Sequence, residues 1–322
     1  MKTALSRIAL IFLTYNVALI LLSLGLSAQA VHSHPMRGEL ISTVSGQVHA
    51  LESDDTHEHN RPAIVLLHGV NTSALDFTTN LLPLLGSTHH VVAIDRPGHG
   101  YSDRGDLEDI TSPHRQATIA LDAIHAMGIE EVIVVGHSWS GSVVMAALLD
   151  KHDNVEVTAG VLIAGATHPW EGDPVWHIRV SQIPVIGDIF RWQYIPLFGR
   201  LSIDGAVASA FAPESVPEDY VDNTGLTLSL RPSVYQHNAQ DRTQLKGHLA
   251  SQSIRYTEVK APLLSIAASE DTVVPAWNHH DRLRDQIPQI QTLMLEGAGH
   301  APHHTQPQRI ANAINEFVMS LP

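Results

Sequence analysis

A serine lies between a strand pattern and a helix pattern. Residues 132–135 (VIVV) form a β-branched run that is typical of a buried parallel strand. Residues 142–149 (SVVMAALL) contain no glycine or proline and favour a helix. Gly136 and Ser140, two positions on either side of Ser138, are small enough for a sharp turn between the two elements. Such a turn exposes the hydroxyl, so the segment predicts that Ser138 is a nucleophile.

Two downstream segments carry the side chains that could activate this serine. Asp271 follows the hydrophobic run 262–268, and His300 lies in the segment 297–304 (GAGHAPHH). A histidine can take the proton of a serine hydroxyl, while a carboxylate orients the imidazole and stabilises its charged form. Asp271 is therefore a candidate acid and His300 a candidate general base.

Other side chains of the same types compete for these roles. Ser140 and Ser142 are expected inside the helix that follows the turn, which makes them poorer nucleophiles. Glu270 is adjacent to Asp271 and is expected to face solvent. If the acid lies on an earlier strand, it is Glu171 or Asp173. The alternative histidines are His303 and His304.

Two further segments follow predicted strands and predict structured loops. Residues 66–71 (LLHGVN) contain the His68-Gly69 pair directly after an apolar strand pattern. Residues 95–102 (DRPGHGYS) contain two glycines, which permit tight backbone turns. We interpret the first loop as part of the site, with a loop-structuring role for the His68 side chain. We interpret the second as structural.

These five segments, in this order, resemble the α/β-hydrolase superfamily over residues 38–322, and in particular its capped esterases, perhydrolases and carbon–carbon bond hydrolases. The resemblance implies an α/β fold with a mostly parallel, doubly wound sheet and an inserted helical cap. It implies a Ser138, Asp271 and His300 triad without cofactor or metal. It also implies that the main-chain N–H groups of Val70 and Trp139 form the oxyanion hole. Ser140 stands where the family usually has glycine.

The serine at position 138 narrows the chemistry. Haloalkane dehalogenases and epoxide hydrolases of this fold need a carboxylate at that position, so a serine favours acyl transfer. We expect hydrolysis of carboxylic esters or related acyl bonds through an acyl-enzyme. The alternatives are a carbon–carbon bond hydrolase or a perhydrolase with the same triad, and a non-catalytic receptor or interaction protein that keeps the fold.

Strand and helix patterns alternate along most of the chain, which predicts βαβ units. A hairpin is predicted over 39–51, around Ser45-Gly46, and residues 54–61 are expected to form a solvent loop. The further predicted strands are 63–67, 90–94, 131–135, 160–163, 263–267 and 291–295. The predicted helices are 74–85, 113–127, 140–151, 277–286 and 308–319.

The alternation stops over approximately 167–259, which we interpret as the cap. This region is rich in aromatic and large apolar side chains. If they face the cleft, the substrate is a small apolar ester or acyl compound, with Trp170 and Trp192 lining its pocket and Trp139 narrowing it. The alternatives are that the apolar stretch 183–198 packs on the sheet or rests on a membrane.

Residues 1–30 predict a targeting segment. Lys2 and Arg7 precede an apolar stretch over 8–26, and Ala28 and Ala30 fit a signal-peptidase site. Cleavage would give a periplasmic or secreted protein. The alternative is an uncleaved membrane anchor, because the stretch is about long enough to cross a bilayer.

Composition excludes several classes of function. The formal net charge of −14 argues against a nucleic-acid partner. The absence of cysteine excludes disulfides and a thiol nucleophile. The 22 histidines include several pairs, but none has the spacing of a linked metal motif, and we interpret them as solvated side chains. These pairs are His32/His34, His57/His59, His89/His90, His279/His280 and His303/His304.

Overall fold

A computed structural model describes residues 2–53 and 62–321 of the chain. The predicted solvent loop over 54–61, with His57 and His59, lies outside the described residues. The sheet has eight strands, which are β1 (Glu39–Thr43), β2 (Gly46–Glu52), β3 (Ala63–Leu67), β4 (Val91–Ile94), β5 (Glu131–His137), β6 (Glu156–Ile163), β7 (Leu263–Ala268) and β8 (Gln291–Leu295).

The strand order is β1-β2-β4-β3-β5-β6-β7-β8. The first hairpin is antiparallel, β2 pairs antiparallel with β4, and every other neighbouring pair is parallel. The predicted α/β fold with a mostly parallel sheet is therefore confirmed. Leu67 pairs with Gly136, so the carboxyl ends of β3 and β5 lie side by side at one edge of the sheet.

Helices cover both faces of the sheet. Their bounds are α1 (Lys2–Ser33), α2 (Leu81–Gly86), α3 (Pro113–Ala126), α4 (Gly141–Leu149), α5 (Trp176–Ser181), α6 (Ile186–Gln193), α7 (Ile195–Phe211), α8 (Tyr220–Asn223), α9 (Pro232–Gln252), α10 (His280–Gln286), α11 (Pro302–Thr305) and α12 (Pro307–Met319). Short 3-10 helices occupy Ala74–Phe77, Ser138–Ser140, Leu226–Leu230 and Ser253–Glu258.

The predicted helix over 74–85 is divided in two. The side chain of Asn80 accepts a hydrogen bond from the main-chain N–H of Leu81 and so begins a new helix there. Side chains with this capability are strongly preferred at helix N-termini because they satisfy a free N–H group. The other predicted strands and helices occur with ends displaced by a few residues.

Two apolar layers hold the domain together, one on each face of the sheet. One layer packs α3 and α4 against the sheet, with Val134 and Val143 among its buried members. The other packs α2 and α12 against the opposite face, with Leu85 and Phe317 among its members. Because alternate strand residues point to opposite faces, strands β3 to β7 are buried on both sides and read as continuous apolar runs.

The segment between β6 and β7 is helical and forms the cap, which includes α5, α6 and α7. Its long helix α9 returns to the main domain and packs against the 3-10 helix at Ser253–Glu258. Helix α1 packs against α6 and α7 of the cap.

Candidate active site

The serine turn has the strained geometry that the sequence predicts. Ser138 has φ of 53°, in the left-handed region that non-glycine residues adopt at an energetic cost. It directly follows β5 and starts a 3-10 helix that leads into α4. The fold around this turn keeps Ser138 buried, with only 4% of its surface exposed.

A chain of hydrogen bonds joins the three predicted side chains. Nε2 of His300 lies 2.9 Å from Oγ of Ser138, and Nδ1 of His300 lies 2.8 Å from Oδ2 of Asp271. The other carboxylate oxygen, Oδ1 of Asp271, accepts hydrogen bonds of 2.8 Å from the N–H groups of Val273 and Val274. These bonds favour the tautomer of His300 that donates from Nδ1 and accepts the serine proton at Nε2.

The environment keeps Asp271 ionised. Burial raises the pKa of its carboxyl group, but His300 and the two main-chain donors lower it by more, so the pKa lies below its ordinary value. A carboxylate at this position can stabilise a positive charge on His300 when the imidazole takes a proton.

The competing side chains are occupied or exposed. The Ser140 hydroxyl donates to the carbonyl oxygen of His68 at 2.5 Å, and the Ser142 hydroxyl donates to that of Trp139 at 2.7 Å. Glu171, Asp173 and Glu270 are exposed. The serine that replaces the usual glycine therefore connects the turn at Ser138 to the neighbouring loop through a hydrogen bond.

That neighbouring loop passes close to Ser138. A Cβ atom added to Gly69 would lie 3.0 Å from Cβ of Ser138, so only glycine allows this approach without displacement. The His68 ring donates from Nδ1 to the carbonyl of Gly69 and accepts at Nε2 from the N–H of Arg96. Burial beside Arg96 lowers the pKa of His68 to about 3, so the ring is neutral and shapes the loop.

The cap also holds this loop. Asn71 has φ of 61°, and its main chain and side chain form two hydrogen bonds with Asn238 on α9, at 3.2 and 2.9 Å. The N–H of Val70 lies between Gly69 and Asn71 in this constrained segment. The N–H of Trp139 directly follows Ser138 at the start of a 3-10 helix. Both predicted oxyanion donors therefore belong to segments that adjoin the Ser138 hydroxyl.

The predicted pocket tryptophans occupy other surroundings. The Trp139 ring is buried against the guanidinium of Arg96, whose Cζ lies 4.1 Å from the ring centre. Trp170 packs against the core on the α3 and α4 face of the sheet. Trp192 is 40% exposed on α6. The Trp139 ring therefore packs on Arg96, while the pocket roles of the three tryptophans stay predictions.

Arg96 belongs to a buried ionic cluster that joins the sheet to the cap. Asp241 on α9 accepts from Arg96 at 2.8 Å and from Arg104 at 2.7 Å. Asp95, which precedes Arg96, accepts from the N–H groups of Ala74 and Tyr101. The glycine-containing loop over 95–102 therefore has a structural position, as the sequence indicates.

A second group of titratable side chains lies behind His300. Asp76 accepts hydrogen bonds from His303 at 3.2 Å and from His304 at 2.9 Å, and it lies 3.9 Å from Nδ1 of His137. Nε2 of His137 donates to the main-chain carbonyl of His300 at 3.0 Å. The cluster therefore supports the backbone that carries His300.

The charge distribution in this cluster follows from burial. Burial raises the pKa of Asp76, but His303 and His304 lower it to well below its ordinary value. Burial and the nearby His303 and His300 hold the pKa of His137 well below its ordinary value. Donor atoms of Asp76, His137 and His303 lie within 4.8 Å of one another and could hold a metal ion. Because His303 and His304 both donate to Asp76, we interpret the group as a structural network.

The interpretation of the histidines as solvated side chains is wrong for many of them. Besides His300, nine histidines among the described residues are buried, namely His49, His68, His89, His99, His137, His168, His279, His280 and His303. Sequence reasoning missed Asp76 and His137 as supports of the site. His137 is adjacent to Ser138, but Asp76 has no local signal because its contacts come from residues more than 200 positions away.

Comparison with known proteins identifies the family. Residues 64–313 match the model of the alpha/beta hydrolase family, and the chain belongs to this family. A pimeloyl-[acyl-carrier protein] methyl ester esterase of Xanthomonas campestris is 28% identical over 269 residues, which cover 81% of this chain and 96% of the esterase. Epoxide hydrolase A of Mycobacterium tuberculosis is 24% identical over 301 residues, with 82% and 92% covered.

Solved structures share the fold. The esterase RhEst1 from Rhodococcus sp. ECU1013 is 20% identical and superposes with a TM-score of 0.68, covering 88% of this chain and 98% of that chain. A bacterial membrane phospholipase A is 17% identical with a TM-score of 0.67. That match covers 100% of this chain and 99% of the phospholipase, and so includes the N-terminal helix.

Proposed function

We propose that the protein is a serine hydrolase that cleaves carboxylic esters through an acyl-enzyme. The observation that carries this proposal is the continuous hydrogen-bond chain from Ser138 through His300 to Asp271. The esterase relatives support it, since they are similar over most of both chains. Ser138 distinguishes the chain from hydrolases of this fold that need a carboxylate nucleophile.

The mechanism follows from the positions of the donors and acceptors. His300 takes the proton of Ser138 as its Oγ attacks the ester carbon, and the N–H groups of Val70 and Trp139 stabilise the negative oxygen that forms. His300 then gives the proton to the leaving alcohol. A water molecule, deprotonated by His300, attacks the acyl carbon and releases the acid, which restores Ser138. Asp271 stabilises the charged His300 at each stage.

The test is the replacement Ser138→Ala. We expect hydrolysis of p-nitrophenyl butyrate to fall at least a thousandfold while circular dichroism and the melting temperature stay close to those of the wild type. Ser142→Ala is the matched control, because it removes a nearby hydroxyl that donates to a main-chain carbonyl. Full activity of Ser138→Ala would contradict the proposal. A vinylogous diketone and hydrogen peroxide in the same assay distinguish ester hydrolysis from carbon–carbon cleavage and perhydrolysis.

We also propose that the N-terminal helix is retained as a membrane anchor. Residues Ser6–Ser33 are long and apolar enough to cross a membrane and are almost entirely exposed. Polar contacts tie this helix to the cap, with Nε2 of Gln193 donating to Asn16 at 2.7 Å and Arg200 donating to the carbonyl of Leu26 at 2.9 Å. Mass spectrometry of the N-terminus from expressing cells tests retention. A chain that begins at Val31 would instead support the signal-peptide alternative.

A further inference from the structure

The cap carries apolar side chains that are exposed to solvent on its outer face. Ile186, Ile189 and Trp192 recur every three residues along α6 and are 55%, 46% and 40% exposed. Phe198 and Leu201 have the same spacing on α7 and are 53% and 75% exposed. Residues three apart lie on one side of a helix, so each helix presents an apolar stripe. We call these five residues the cap face.

The position of α1 relates this face to a bilayer. The helix contacts α6 through Asn16 and contacts α7 through Leu26. Both contacts lie inside the span Ser6–Ser33, which is long and apolar enough to cross a membrane. If α1 crosses a bilayer, that bilayer therefore reaches the cap beside α6 and α7.

The chemistry of the neighbouring surfaces fits contact with a bilayer. Amphipathic surface helices typically enter the boundary between headgroups and acyl chains by about 5–10 Å. From residue 8 to its end at Ser33, α1 has no acidic, lysine or arginine side chain that would oppose burial in lipid. Exposed apolar patches of this kind mark contact surfaces on otherwise polar proteins.

Helix α7 connects the cap face to the site. Its first half carries Phe198 and Leu201, and its last turn contacts the loop of His300, whose N–H donates to the carbonyl of Ala210 at 2.8 Å. Phe211 is buried beside Ala301 in the same apolar cluster. From Leu201 to Phe211 the helix extends about 15 Å. Helix α7 therefore links the cap face to the loop that carries His300.

We propose that the cap face docks into the lipid bilayer beside α1 and that the enzyme takes its ester substrate from that bilayer, as an acyl ester of a membrane lipid. The substrate part of this proposal rests on the proposed ester hydrolysis. The docking part stands on the length of α1, its contacts with the cap and the exposed stripes.

The experiment uses the full chain in vesicles of dioleoyl phosphatidylcholine and compares two double variants. Phe198→Gln with Leu201→Gln removes two members of the cap face. Val44→Gln with Ile254→Gln is the control, because these side chains are 95% and 75% exposed on the first hairpin and on the 3-10 helix at Ser253–Glu258. Melting curves check that all proteins fold alike.

Activity separates docking from chemistry. We expect the cap-face variant to hydrolyse p-nitrophenyl butyrate in detergent micelles within twofold of the wild type, and to release oleate from the vesicles at least tenfold more slowly. The control variant should match the wild type in both assays. Unchanged oleate release by the cap-face variant would overturn the proposal. Loss of butyrate hydrolysis in the wild type would instead contradict the proposed function.

Fluorescence tests docking without any reaction. Vesicles of phosphatidylcholine with brominated acyl chains should quench part of the tryptophan emission of the wild type, and Trp192→Phe should remove most of that quenching. Absence of quenching that depends on Trp192 contradicts docking. If cross-linking in vesicles then gives a dimer that the cap-face variant lacks, a second copy of the chain covers this face, and the proposal is wrong.

Discussion

The carboxyl edge of the sheet buries polar side chains, whereas the cap face exposes apolar ones. At the sheet edge, Ser138, Asp271 and His300 are buried and bonded to one another. On the cap, the apolar side chains of Trp192 and Leu201 are 40% and 75% exposed. A buried polar site needs a partner for each group, whereas an exposed apolar face needs a surface to cover it. We therefore propose that the reaction takes place at the sheet edge and that the substrate enters at the cap.

The largest effect is expected from a substitution that alters the sheet edge alone. Asp271→Asn keeps the shape of the side chain but lets its amide donate to His300, which favours the wrong tautomer. We expect kcat for p-nitrophenyl butyrate to fall about 10³–10⁴-fold, while quenching by brominated vesicles stays at the wild-type level. Steady-state kinetics measures the fall in kcat, and tryptophan fluorescence measures the quenching.

Glu270→Gln is the control for this prediction, because it neutralises the adjacent exposed carboxylate and should leave kcat unchanged. Retention of more than a tenth of the wild-type kcat by Asp271→Asn would mean that another acid serves His300.

The two regions meet at a buried ionic cluster, which offers the next test. Asp241→Asn on α9 leaves Arg96 and Arg104 without their shared counter-charge. Removal of one partner from a buried pair costs about 3–5 kcal/mol of the free energy of unfolding. Chemical denaturation measures this loss. Asp153→Asn, which removes a carboxylate that is 87% exposed, should change the free energy of unfolding very little.

A smaller effect per group is expected from the buried histidines around the sheet. Burial lowers the pKa of His68 to about 3 and those of His168, His279 and His303 to about 4. In the unfolded chain these groups take a proton near pH 6.5, so the unfolded state binds more protons between pH 6.5 and 4. The free energy of unfolding should therefore decrease as the pH falls through this window, by at most about 1.4 kcal/mol per pH unit for each group.

Denaturant titrations at pH 7.5, 6.5, 5.5 and 4.5 measure this dependence. His279→Asn should reduce the slope of the free energy of unfolding against pH by about the contribution of one proton. A free energy of unfolding that stays constant between pH 6.5 and 4.5 would show that these histidines are not held neutral by the fold.

The elements that the sequence could predict are those with a local pattern. Strands such as 63–67 and 291–295 carry their signal locally, as apolar runs between turn residues, and the fold agrees with them. The segments around Ser138, Asp271 and His300 follow strand ends, so their meeting follows from a parallel sheet. The sequence alone thus led to the three side chains that the fold brings together.

Contacts between distant segments were not predictable. The pairing of Asp76 with His303, the packing of Trp139 on Arg96 and the contact of Asn16 with Gln193 join residues that have no shared local pattern. Trp192 is of a residue type that often lines pockets, but the direction in which its side chain points depends on how α6 packs. Local patterns record secondary structure and strand ends, and they do not record which face of a cap helix is covered.

The central claim is that Ser138 is the nucleophile at the sheet edge, and covalent labelling tests it most directly. A fluorophosphonate should react with one site of the folded full chain, and peptide mass spectrometry should locate the adduct on Ser138. Asp271→Asn should slow the labelling, and Ser138→Ala should abolish it. An unlabelled wild-type protein, or an adduct that persists in Ser138→Ala, would contradict the account.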